Sequence, residues 1–227
     1  MPETRAPVIL AFDTAGAACS VALARGNAVL AHERREMRHG HAEALLPMID
    51  RVVAAGGLAP SEIDIVVVTV GPGGFTGIRA GLAAAHGLTL AAGARLVGIS
   101  SFAAVAGSIA ESGLPLLVAL DSRREDLYVQ RFDALHAPMS EPAAVPPDQL
   151  ATWLGEGGVA IAGDAVEVAA AALGSRRQLQ IVPNSAPDAL GALAALRRWP
   201  ERGDPAARPL YLRPPDVSFP KARGGTG

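Results

Sequence analysis

The chain has 227 residues, half of them hydrophobic, with 20 Lys plus Arg against 22 Asp plus Glu for a net charge of −2, and a single cysteine, Cys19. No apolar run reaches the roughly 20 uninterrupted residues of a membrane span, because Asp13, His86, Arg95 or Asp121 breaks each one, and one cysteine excludes a disulfide framework and a multi-cysteine zinc site. A protein that grips tRNA alone needs a broad basic face whose neutralised phosphates release counterions, and this charge balance offers none.

In chain order, MPETRAPVILAF carries an early Arg and then apolar residues, but Asp13 cuts the run short, so it is not read as a signal peptide and a cytoplasmic location is expected. VILAF predicts a strand ending at Asp13-Thr14, followed by a turn of small residues, a second strand from Ser20 and a third after Gly26-Asn27. Arg34, Arg35 and Arg38, within residues 32–41, read as a solvated strand end and loop. HAEALLPMIDRVVAAGG predicts a helix with Ala42, Leu45, Leu46, Ile49, Val52 and Val53 on one stripe and Gly56-Gly57 as its stop. IDIVVV reads as a buried strand. A glycine-dense loop then leads into a helix from Ile78 to Ala92, a short strand over 96–99 and the helical SFAAVAGSIAESG.

LPLLVALDSRREDLYVQRFDA repeats the opening: an apolar strand, Asp121-Ser122, a polar turn, and a strand from Leu127. LAFDT and VALDS occupy matching places, which predicts a duplicated unit. A Pro-rich connection, a helix in PDQLATWLGEGG, a strand VAIAGD, an Ala-rich helix, QLQIVP and a helix in PDALGALAALRRW follow. The expected division is a first lobe over 1–106, a smaller second lobe over 107–213 whose last helix, about 187–199, packs back on the first, and a flexible tail over 214–227.

The glycine loop, TVGPGGFTGIR, sits where proteins often hold phosphate. It is not a P-loop, since Gly77-Ile78-Arg79 stands where Gly-Lys-Ser/Thr is required. The dinucleotide fingerprint fails as well, with Thr76 in the third glycine position. Two readings stay open: Gly71, Gly73, Gly74 and Gly77 bring backbone close to an anion at a helix N-terminus, or they only make a tight turn and let the helix pack closely. Among other polar residues, His39 and His41 read as surface or capping groups and Cys19 as a small core residue. Gly98-Ile99-Ser100 is not a nucleophile elbow, because Phe102 replaces the closing glycine.

GPGGFTGIRAGLAAAHGLTLA resembles the Gly-Pro-Gly-Ser-Phe-Thr-Gly-Leu-Arg segment of the bacterial TsaB family, formerly YeaZ. AFDTAGAACSVAL, HAEALLPMID, ALDSRREDLYVQRF and the Pro-x-Tyr-Leu-Arg over 209–213 agree with it, and Gly74 departs from the usual serine. The resemblance implies an α/β, two-lobed actin-like ATPase (ribonuclease H-like) fold, each lobe a mixed sheet with flanking helices. It further implies a non-catalytic dimerisation and scaffold subunit that binds and activates the paralogous threonylcarbamoyltransferase TsaD, with the ATPase TsaE joining and tRNA reached only through the complex. In TsaD two histidines spaced His-x-x-x-His bind the metal; the matching positions here are Ser101 and Val105, so no metal and no catalytic residue are expected.

By the same resemblance, the nucleotide or anion candidates are Asp13, Gly71, Gly73, Gly74, Thr76, Arg79 and Asp121, the two acids either positioning magnesium and phosphate or capping their own turns. Partner-interface candidates are His41, Leu45, Leu46, Met48, Ile78, Gly81, Ala84 and Ala85, through which TsaD or a second copy in a homodimer would pair. No tightly bound cofactor is expected, with ATP or ADP and magnesium placed at the joint with TsaD. The alternatives are a stand-alone actin-like phosphotransferase or ATPase, and a metallopeptidase.

Overall fold

The computed structural model describes residues 5–174, 178–183 and 185–213. The tail expected to be flexible, 214–227, lies outside the described residues.

The chain forms two five-stranded mixed sheets of the same topology. In the first, β1 (Val8–Asp13), β2 (Ala18–Arg25) and β3 (Ala28–Glu36) make an antiparallel meander. Strands β4 (Ile65–Thr69) and β5 (Arg95–Ile99) then add in parallel on the other side of β1, giving the order 3-2-1-4-5. Strands β1 and β4 are buried along their whole length, which is why they read as continuous apolar runs rather than alternating ones. Strand β3 is an edge, and its charged residues 32–36 suit one.

The second sheet repeats this plan with β6 (Leu116–Asp121), β7 (Leu127–Phe132) and β8 (Ala143–Val145) as the meander and β9 (Val159–Ala162) and β10 (Leu179–Ile181) in parallel. Its order, 10-9-6-7-8, is the first sheet's order read from the other end. The LAFDT and VALDS matches thus mark equivalent central strands.

Helices α1 (His41–Ala55) and α2 (Phe75–Ala92) cover one face of the first sheet. Helix α2 begins three residues before the expected Ile78, so Thr76 and Gly77 lie in its first turn; it stops at Gly93, which takes the left-handed conformation with φ 66°. Helices α4 (Leu150–Leu154) and α5 (Val166–Leu173) cover the outer face of the second sheet. Between the sheets lie α3 (Ser101–Ser108) and α6 (Ala189–Arg198), which occupy equivalent places in the two repeats.

These two central helices cross at very short range. A Cβ on Gly107 would stand 2.7 Å from the Ala195 nitrogen, and one on Gly191 would collide with the Ala104 carbonyl oxygen. The surrounding core takes Ile9, Val67 and Phe102 from the first lobe and Val118, Phe132 and Leu193 from the second, so it belongs to both. Beyond α6 the chain returns to the first lobe: Gly98 and Asp204 exchange backbone hydrogen bonds of 2.8 and 2.9 Å, and the Leu210 N–H donates to the Val70 carbonyl at 2.8 Å. Arg213 then crosses to the second lobe and pairs with the buried Asp126 carboxylate at 2.7 Å.

Candidate functional site

The glycine loop joins β4 to α2 and packs on the turn between β1 and β2. A side chain on Gly73 would collide with the Ala15 carbonyl, one on Gly77 with the Thr14 carbonyl, and a Cβ on Gly81 would lie 2.5 Å from Thr14 Oγ1. The loop is pinned there by hydrogen bonds, from the Gly74 N–H to the Ala15 carbonyl at 2.8 Å and from Thr14 Oγ1 to the Gly77 carbonyl at 2.7 Å. Three of these glycines therefore serve close packing of the helix on the turn.

Asp13 does not face a cleft. Its side chain is fully buried, Oδ1 accepts from Thr69 Oγ1 at 2.5 Å and from the Ala15 N–H at 3.3 Å, and the Gly16 backbone N–H also faces the carboxylate. Burial pushes the carboxyl up to about 6, against the lowering effect of the Thr69 hydrogen bond. Asp121 is exposed and accepts from the Arg123 N–H at 2.7 Å, closing its own Asx turn. The space between the two turns is only about 30 Å³, lined by Ala15, Gly73, Asp121, Arg123 and Asp164 but not by Asp13. That admits a water or two and no phosphate chain. Of the two readings of these acids, the geometry shows the capping one: each acid accepts within its own turn, and Arg123 bridges the gap, its guanidinium donating to the Gly16 carbonyl at 3.2 Å.

The remaining loop candidates point elsewhere. Thr76 is exposed in the first turn of α2. Arg79 reaches back along α2 to stack on the ring of its first residue, Phe75, 3.6 Å from the centroid, while Tyr211 packs on the same ring at 5.0 Å. Ser101 and Val105 are buried on α3, and among the described residues no group of three or more His, Cys, Asp or Glu could hold a metal ion. Cys19 is buried in β2, its thiol pushed up to about 11 chiefly by that burial.

The interface candidates need sorting. His41, Leu45, Met48, Ile78, Gly81 and Ala85 are buried within the chain, most of them in the core between α1, α2 and the first sheet, so they are not free to anchor a partner. The inward stripe of α1 runs His41, Leu45, Met48, Ile49, Val52, Val53, which turns Ala42 and Leu46 outward. Leu46 is 51% exposed and Leu90, at the far end of α2, 87%, with Ala83 exposed and Ala84 partly exposed between.

A different set of residues gathers at the N-terminus of α2. A cleft of about 390 Å³ lies between the starts of α1 and α2, lined by Arg38, His39, His41, Glu43, Thr76 and Arg123 among others. A second, of about 210 Å³, lies on the other side of Gly74 and Phe75 and holds Arg123, Arg124, Tyr128, Tyr211 and Arg213. These cations come from separate segments, so no local spacing in the sequence signals their convergence. His41 is held below the usual histidine range by burial first, with Arg123 and His39 adding to it. No described helix is long and apolar enough to cross a membrane.

The family model for "TsaD: tRNA N6-adenosine threonylcarbamoyltransferase" matches residues 31–182. An uncharacterised protein of Mycobacterium tuberculosis is 32% identical over 96% of this chain and 97% of its own length. The tRNA threonylcarbamoyladenosine biosynthesis protein TsaB of Escherichia coli is 37% identical over 53% of this chain and 52% of its own length. In structure, YeaZ from Pseudomonas aeruginosa aligns with a TM-score of 0.76 at 26% identity, covering 91% of this chain and all of that one. A ROK hexokinase from Thermus thermophilus, at 14% identity and a TM-score of 0.50 over 84% of this chain and 98% of its own, shares only the fold, which is the two-lobed actin-like ATPase architecture. The chain belongs to the TsaD-related family of tRNA threonylcarbamoyladenosine biosynthesis proteins, on its TsaB (YeaZ) branch.

Proposed function

We infer that this chain is the non-catalytic partner of TsaD, a scaffold subunit that pairs with the transferase in the cytoplasm and stabilises its competent conformation, with TsaE joining and tRNA reached through the complex. The observation that carries the reading is the state of the interlobe site. Asp13 is buried and does not line the gap between the two Asp turns, that gap is about 30 Å³, and Arg123 spans it. A chain that positioned phosphate and magnesium between Asp13 and Asp121 needs a carboxylate facing that gap and room for a phosphate chain in it. Ser101 and Val105, at the positions of the transferase's two histidines, offer no metal-binding pair, which also argues against a metallopeptidase.

On this reading the partner face is the outward side of α1 and α2, with Leu46, Ala42, Ala83, Ala84 and Leu90, and it serves TsaD in the complex and a second copy in an isolated homodimer. ATP or ADP with magnesium is held at the joint with TsaD rather than by this chain alone. As a ligand that prefers one state of its partner, the chain shifts the partner's population toward that state. The test is single-turnover threonylcarbamoyl transfer to tRNA by TsaD and TsaE with the adenylate donor, with and without this chain, and by this chain alone. Transfer only in the mixture supports the scaffold reading; transfer or ATP turnover by this chain alone overturns it.

A further inference from the structure

The turn between β1 and β2, residues 14–17, is where both helices of the partner face are seated. The Ala15 carbonyl accepts from the Gly74 N–H at 2.8 Å and Thr14 Oγ1 donates to the Gly77 carbonyl at 2.7 Å, which fixes the start of α2. The ring of His41, the first residue of α1, faces the Gly16 and Ala18 backbone at the same turn. The second lobe reaches this turn through Arg123, which lies between β6 and β7. Its Nη2 donates to the Gly16 carbonyl at 3.2 Å, and a Cβ on Gly74 would stand 3.3 Å from its Nη1, so the guanidinium touches both the turn and the residue that precedes α2.

The backbone that carries this side chain is strained. Arg123 has φ 60°, a left-handed conformation that residues with a side chain seldom take. The Asp121 carboxylate holds it there, accepting from the Arg123 N–H at 2.7 Å. Such conformations cost free energy and persist where the surroundings over-determine them. In this turn the result is aim: Arg123 projects across the interlobe gap onto the first lobe.

We propose that Arg123 is a positioning residue for the partner face: it holds the β1–β2 turn, and through it the starts of α1 and α2, in the register that pairs with TsaD. The proposal rests on the reading of α1 and α2 as that face. Pairing strength then depends on how the second lobe meets the first, although the face itself belongs to the first lobe.

The test measures affinity for purified TsaD by calorimetry in Arg123→Ala, Arg123→Lys and Leu46→Glu, with the amide and His41 ring resonances of the free chain followed by NMR. A single exposed hydrogen bond sets the scale, so Arg123→Ala should weaken pairing about three- to tenfold, and Arg123→Lys, which keeps a donor, should recover part of that. In the free chain the Gly16, Gly74 and Gly77 amides should shift in Arg123→Ala. The His41 ring should titrate at higher pH, because burial holds it down first and the Arg123 charge adds to that. Arg123 is exposed, so the melting temperature should fall by no more than about 4 °C. Unchanged affinity in Arg123→Ala while Leu46→Glu weakens pairing overturns the proposal and leaves the partner face standing. Unchanged affinity in all three variants, or no pairing by the parent, removes the face and the proposal with it. Weaker pairing with unmoved amides also overturns the proposal, since Arg123 would then touch the partner directly.

Discussion

Thr69 Oγ1 donates to Asp13 Oδ1 at 2.5 Å, joining two parallel strands at a point where neither side chain reaches solvent. The bond favours the ionised carboxyl, yet burial outweighs it and Asp13 titrates at about 6 instead of 3.8. The folded chain therefore keeps a proton that the unfolded chain has released. Stability contributed by this residue is fully present below the unfolded value of 3.8 and is lost as the pH climbs through about 6. At roughly 1.4 kcal/mol per unit, ionised Asp13 costs about 3 kcal/mol above that window. Denaturant unfolding should find Asp13→Asn more stable than the parent by about 1–3 kcal/mol near pH 8 and level with it near pH 4. An offset that does not change with pH would show that another group titrates.

Packing of α2 on the β1–β2 turn leaves no room at Gly77, whose added Cβ would meet the Thr14 backbone carbonyl. Gly77→Ala should cost about 2–4 kcal/mol in thermal or chemical unfolding, because backbone cannot step aside as a side chain can. Gly74→Ser, the residue usual in the TsaB motif, meets only the tip of Arg123 at 3.3 Å and places a hydroxyl at the N-cap of α2. It should leave stability within a few tenths of a kcal/mol or raise it slightly. A large loss in Gly74→Ser would mean that Arg123 is fixed rather than yielding.

The outward and inward sides of α1 should separate binding from folding. Leu46→Glu, on the exposed side, should leave the melting temperature nearly unchanged and weaken pairing with purified TsaD by tenfold or more, as judged by calorimetry. Met48→Ala, fully buried, should cost about 2–5 kcal/mol of stability. Unchanged affinity in both Leu46→Glu and Leu90→Glu would move the partner face off these helices.

Arg213 pairs with Asp126, whose carboxylate is buried and also takes the Ser122 hydroxyl at 3.1 Å. Arg213→Ala strands that charge and should cost about 1–3 kcal/mol in urea unfolding. Combining it with Asp126→Asn should recover part of the loss, and additivity of the two changes would show that the pair contributes nothing.

Much of this architecture is legible in the residues. The apolar strands ending at Asp13 and Asp121 announce two copies of one unit because a strand buried on both faces has no freedom in its pattern. The helix at 41–55 is equally plain, but which of Leu45, Leu46 and Met48 faces out is not: adjacent apolar residues fit either side of a stripe, and only the sheet beneath decides. The glycine loop reads equally as anion binding or packing because glycine serves both, and the collision at Thr14 and Ala15 comes from a segment about 60 residues away. Arg38 and Arg123 meet at α2 for the same reason. Their convergence is a property of the fold, which no local pattern carries.

The crossing of α3 and α6 has a consequence for how the molecule moves. Closure of two lobes by shear needs packed helices that can slide past one another. Here the pivot is two helices in backbone contact at Gly107 and Gly191, set in a core shared by both sheets and strapped by residues 204–213. The chain should melt in a single cooperative step, with no lobe outliving the other.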